Sequence, residues 1–182
     1  MTSAELYRLL RSDLGPWFRK RGFKAARRTQ LGWHRDRLLI WFQCDKSGWN
    51  QYAGSSFFVN VQISTEPEPW SGPVERLQRF LSDAELEQMR ALQNEVIRTL
   101  LPPPREYVEQ MRDAFSKYRD GAAMLEAMLS DFQPVATPYR QQQDVALRYF
   151  SPSDVHRWSM FLLIIFPRIV ADSPDNGSTR AL

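Results

Sequence analysis

Apolar residues recur at helical spacing close to the start of the chain, at Leu6, Leu9, Leu10, Leu14, Trp17 and Phe18. Thr2 with Glu5 three residues later makes a capping-box pair in front of them, and Gly22 supplies a stop behind, so the first element reads as a helix. Pro16 has no backbone donor and is expected to kink this helix or to restart it. Arg19, Lys20 and Arg21 fall in the last turn, where positive charge favours the negative end of the helix dipole.

From Lys24 to Thr65 the period changes to two, which predicts an antiparallel meander of about three strands. Residues 27–33 and 38–44 read as strands on either side of a polar turn, His34, Arg35, Asp36 and Arg37. The third strand alternates most clearly. Phe57, Val59, Val61 and Ile63 share one face with Leu38, Ile40, Phe42 and Cys44 of the second, leaving Phe58, Asn60, Gln62, Leu39, Trp41 and Gln43 on the other. Residues 45–54 and 66–73, rich in glycine, proline and polar groups, read as loops.

The second half turns helical. Ser82 with Glu85 forms another capping box ahead of Leu86, Met89, Leu92, Val96, Ile97 and Leu100, and three prolines at 102–104 end that helix. Tyr107, Val108, Met111, Ala114, Phe115 and Tyr118 mark the inner side of a further helix, and Met124, Leu125, Met128 and Leu129 that of a short one over 121–132. Residues 145–150 suit a returning strand. The apolar run within 154–166 fits a buried helix or a central strand equally by periodicity; Ser153 as a cap, with Asp154, inclines it to helix. The whole is expected to be one α+β domain over residues 1–171. It has an N-terminal helix, an antiparallel meander of about three or four strands with helices packed on it, and a disordered tail over 172–182.

A chain of 182 residues with 43% hydrophobic content has enough apolar surface for such a core. The longest apolar run, Met160 to Phe166, falls far short of the roughly 20 residues that cross a bilayer, and the N-terminus has charges where a signal peptide would be apolar. Cys44 is the single cysteine, which excludes an intrachain disulfide and a cysteine-rich zinc site and agrees with a reducing, cytoplasmic setting. Charge is uneven. Residues 1–37 hold ten Lys or Arg against three acids, whereas residues 66–131 hold thirteen acids against eight Lys or Arg.

No catalytic, metal or cofactor motif emerges. His34 and His156 each lack a neighbour at ligand spacing, and Cys44 falls on the predicted inner strand face, where a thiol is inert. The glycines form neither a phosphate loop nor a dinucleotide fingerprint. Carboxylates fall on polar helix faces, with Glu95 and Arg98, or Glu109 and Arg112, placed as i,i+3 pairs.

Gly22-Phe23 after an amphipathic helix, Phe42-Gln43 with Lys46-Ser47 and Trp49-Asn50, and the Phe58-Val59-Asn60-Val61 strand together resemble a bacterial family known only as a domain of unknown function. The resemblance spans roughly residues 3–65. It implies a small cytoplasmic α+β protein with no assigned reaction. Some members lie near bacterial toxin systems, which implies a toxin-neutralising, or immunity, role.

Three functions follow as expectations, in order. The first is a non-enzymatic module that binds a protein partner through Trp41, Gln43, Trp49, Phe58, Asn60 and Gln62, since rigid rings bury area at low entropy cost and amides orient the partner. In the second, Arg19, Lys20, Arg21, Lys24, Arg27, Arg28, Arg35 and Arg37 contact nucleic-acid phosphates while Trp33 or Trp41 stacks on bases. The third is a hydrolase or nuclease built from scattered carboxylates, which one sequence does not display.

Overall fold

The computed structural model describes residues 1–27, 29–45, 54–64 and 72–172. Arg28, Lys46, Ser47, Trp49, Asn50 and the tail beyond Asp172 therefore lie outside the described residues, as do most of the two predicted loops.

Helix α1 (Ser3–Lys20) starts on the capping box read from Thr2 and Glu5, and it continues through Pro16 instead of restarting there. Pro16 and Ser12, whose carbonyl it leaves without a helical donor, are both exposed, so water can take that acceptor. The helix ends in a Schellman motif: the Phe23 amide donates to the Phe18 carbonyl at 3.1 Å and the Gly22 amide to Arg19 at 3.0 Å. Gly22 has φ +78°, which a side chain would strain.

The reversal feeds β1 (Lys24–Ala25), followed by β2 (Leu31–Arg35), β3 (Leu38–Asp45) and β4 (Ser55–Ile63), each antiparallel to the one before. His34 and Arg35, expected in a turn, belong to β2. The hairpin turns on Asp36 and Arg37 alone, with Asp36 at φ 52°. The register places Ile40 between Trp33 and Val61, and Phe42 between Leu31 and Val59, so one sheet face is apolar as the alternation predicts.

Two short strands divide the far edge of β4. β5 (Val74–Arg76) pairs with Asn60 to Gln62, and β6 (Leu147–Tyr149) pairs with Ser55 to Phe57. β5, with the 3-10 turn Leu77–Phe80 after it, is an element that periodicity does not reveal, because three residues hold no period.

Helices α2 (Asp83–Arg98), α3 (Arg105–Phe115) and α4 (Gly121–Ser130) begin and end close to where the sequence puts them. The final element is helix α5 (Pro152–Ala171), which starts two residues earlier and ends five residues later than the expected 154–166. Its cap is Ser151, whose hydroxyl bonds the Asp154 amide in a capping box, and not Ser153. Tertiary packing selects the helix: Trp158, Leu162, Ile165, Phe166 and Ile169 enter the core beside α1.

That core lies between the apolar sheet face and the pair α1 and α5. Phe18 stacks on Trp33 with ring centroids 4.4 Å apart and touches Phe166 at 5.4 Å. Such pairs are each worth about 0.5–1.5 kcal/mol beyond the area they bury. His156 of α5 meets Asp13 of α1 at 3.3 Å, and Arg157 and Arg168 reach Glu95 and Glu85 of α2.

Helices α3 and α4 contribute less to the core than expected. Of the residues assigned to their inner faces, Phe115 and Met128 are buried, whereas Tyr118 and Met124 are exposed, because these two helices pack mainly on each other. Gly121 permits that closeness: a Cβ there would sit 1.9 Å from the Phe115 carbonyl oxygen. The i,i+3 pairs expected on the helices also differ. Glu95 meets Arg157, and Glu109 meets Arg105 at 2.9 Å.

Candidate binding surface on the outer sheet face

Pleating directs Trp41 and Gln43 of β3, and Phe58, Asn60 and Gln62 of β4, to the side of the sheet away from α1 and α5. The structure brings these five together but does not expose them equally. Gln43 is exposed and Trp41 and Phe58 are half-buried, while Asn60 and Gln62 are 1% and 8% accessible. Contrary to expectation, Asn60 and Gln62 offer almost no surface to a partner.

Both buried amides have structural duties. Gln62 donates to the Gly72 carbonyl at 3.0 Å. Asn60 accepts from Arg76 Nη1 at 2.6 Å and donates to Gln43 Oε1 at 3.5 Å. Buried polar groups need such partners, since an unpaired one costs about 1–3 kcal/mol.

Arg76 is the residue that sequence reading missed. The β4–β5 pairing sets it opposite Asn60, its guanidinium lies 3.9 Å from the centroid of the Phe58 ring, and its Nε approaches Asp144 at 3.5 Å. A relay thus runs from Asp144 through Arg76 and Asn60 to the exposed Gln43. Its only local signal is the Pro73-Val74 start of a short strand, and Asp144 lies 68 positions further along the chain, beyond any spacing rule.

The relay borders an open depression of about 500 Å³ lined by Trp41, Gln43, Arg79 and residues 141–144. On one side it shares Trp41 and Gln43 with a hollow of about 490 Å³ that also takes in Tyr7, Thr29, Gln30 and Phe58. On the other it shares Gln143 and Asp144 with a cleft of about 620 Å³ along β6. The three adjoin through these shared residues, a tract rich in side-chain amides.

In the β6 cleft, Arg148 pairs with the Asp131 carboxylate and donates to the Asp131 carbonyl at 2.7 Å. Ser56 donates to Asp45 at 3.0 Å. Burial pushes the Tyr139 phenol up to about 12, against the pull of Arg148 and Arg90. Beside the cleft, the Cys44 amide donates to the Tyr7 hydroxyl at 3.0 Å, and the Cys44 thiol lies 3.9 Å from the Tyr149 hydroxyl. Burial, and then the thiol, raise Tyr149 well above its ordinary value. Cys44 is half-buried and not wholly enclosed as the strand pattern suggested.

Three carboxylates, a phenol and a guanidinium therefore share this cleft, each carboxylate held by a neighbour. Among the described residues, no three His, Cys, Asp or Glu side chains gather closely enough to hold a metal ion. What the tract presents is fixed hydrogen-bonding groups flanked by aromatic rings.

The basic residues collect elsewhere, at the end of α1 and around the β2–β3 turn. Arg19, Arg21, Lys24 and Arg37 are exposed there and Arg35 is half-buried, whereas Arg27, also exposed, lies in the β1–β2 connection at the other end of β2. Trp33 is 4% accessible and packed on Phe18, so it offers no ring to a base, and Trp41 belongs to the outer sheet tract.

The architecture is α+β: an antiparallel sheet with an N-terminal helix and later helices packed against it. No protein-family model, curated protein or solved structure matches the chain. No helix among the described residues is long and apolar enough to cross a membrane.

Proposed function

We propose that this protein is a binding module whose partner is another protein, engaged on the outer sheet face by Trp41, Gln43, Phe58 and Arg76. The observation that carries the reading is the Asp144–Arg76–Asn60–Gln43 relay. It holds a guanidinium over an aromatic ring and orients an exposed amide before any partner arrives, which lowers the entropy cost of association. Arginine and aromatic side chains in a concave setting are also the groups that dominate protein interfaces. The resemblance of residues 3–65 makes a bacterial toxin the partner class to test first, with the module covering the toxin's active surface.

The test is co-purification with the product of the adjacent gene, followed by titration of wild type, Trp41→Ala and Gln43→Ala. Loss of a central aromatic anchor should weaken binding by about thirtyfold or more. Circular dichroism of each variant separates a lost contact from a lost fold. Equal affinity in both well-folded variants removes this surface as the site.

A further inference from the structure

A second surface carries a different chemistry. Residues 19–37 hold eight Lys or Arg and one acid, a net +7, whereas the whole chain is +3, so everything else carries a net −4. Folding gathers six of these cations, Arg19, Lys20, Arg21, Lys24, Arg35 and Arg37, together with Asp36. The Schellman turn at Gly22 folds the chain back so that Lys24 pairs with His34, and Arg35 Nη1 donates to the Arg21 carbonyl at 3.1 Å. The end of α1 and the β2–β3 turn thereby form one basic end of the molecule.

The cations are also held in position. The Arg21 guanidinium lies 4.1 Å from the Trp17 ring centroid, and that of Arg35 lies 5.0 Å from Phe23 while its Nε meets Asp36 at 3.4 Å. Arg19, Lys20 and Lys24 are exposed and have no ion pair with a described acid. Like charges gathered at one end repel one another unless an anion joins them.

We infer that this basic end binds the phosphate backbone of a nucleic-acid duplex. A duplex is favoured over a single strand because, among the described residues, none of the large aromatic rings here is open to stack on a base: Phe18, Phe23 and Trp33 are buried, and Arg21 lies over Trp17. A lipid surface fits less well, since interfacial helices insert bulky apolar side chains and none of the exposed large hydrophobic residues falls within 19–37. The surface fits sequence-independent contact, in which cations displace the counterions condensed on regularly spaced phosphates.

The test is fluorescence anisotropy with a labelled DNA duplex of arbitrary sequence, its RNA equivalent, the matching single strand, poly-glutamate and phosphatidylserine vesicles. About five phosphate contacts predict that duplex affinity falls roughly 500-fold between about 50 and about 200 mM salt. The double variant Lys20→Gln, Lys24→Gln should lower the log–log salt slope by about 2. Lys117→Gln, an exposed change beyond α3, should leave it unaltered. Absence of duplex binding at low salt, an unchanged slope in the double variant, or equal or tighter binding of the single strand, poly-glutamate or the vesicles overturns the proposal.

Discussion

Asn94 and Val135 are joined by two hydrogen bonds: the Asn94 amide donates to the Val135 carbonyl at 3.1 Å and its oxygen accepts from the Val135 amide at 2.7 Å. Gln93 does the same for β6, donating to Ala146 at 3.1 Å and accepting from Arg148 at 3.0 Å. Gln78 adds a bond to the Val145 carbonyl at 3.0 Å. Side chains of α2 and of the 3-10 turn thus replace a neighbouring strand for the segment between α4 and α5. That segment lines the β6 cleft and, at residues 141–144, the depression beside it.

Replacing Asn94 by Ala strips both Val135 backbone groups of a partner, although Arg90 still donates to the carbonyl at 2.8 Å. The expected loss is about 2–3 kcal/mol, two bonds plus an orphaned amide. Urea unfolding measures it. A loss below about 0.5 kcal/mol would show that water replaces the side chain without cost.

The two serines at the start of α5 have unequal roles. Ser151→Ala removes the hydroxyl that caps the Asp154 amide and should cost about 1 kcal/mol, whereas Ser153→Ala, at an exposed helical position, should cost almost nothing. Thermal unfolding of the two variants side by side would reverse that assignment if Ser153 proved the more sensitive.

Glu85 links the cap of α2 to α5. Partial burial raises its pKa, but bonds from the Ser82 amide and hydroxyl and from Arg168 outweigh that, and the carboxyl ends below the ordinary glutamate range. Its folded-state pKa being depressed, its stabilisation is complete above the unfolded value of about 4.3 and fades as pH falls through the folded one. Glu85→Gln should therefore be less stable than wild type at neutral pH and approach it in acid. Denaturant midpoints across an acid series test this, and a gap that stayed constant with pH would contradict it.

Much of the fold was legible because the signals are local. Thr2 with Glu5 and Ser82 with Glu85 mark two helix starts within four residues, and Phe57 to Ile63 alternate without a break. The third cap was misplaced by two positions because Ser151 and Ser153 both precede Asp154, and nothing local says which hydroxyl faces the free amides. The candidate surface was half visible: Trp41, Gln43 and Phe58 follow from strand alternation, but the burial of Asn60 and Gln62 depends on Arg76 and Gly72, which join from another strand and a distant turn.

By itself the sequence determined the helix order, the inward strand face and the concentration of positive charge in residues 19–37, since each is a property of neighbouring residues. Only tertiary structure decided that α5 is a core helix, that two three-residue strands share the edge of β4, and that Arg76 connects Asp144 to Asn60. Those outcomes rest on pairings between residues far apart in the chain, where a hydrogen bond or a packed ring, and not a local period, selects the arrangement.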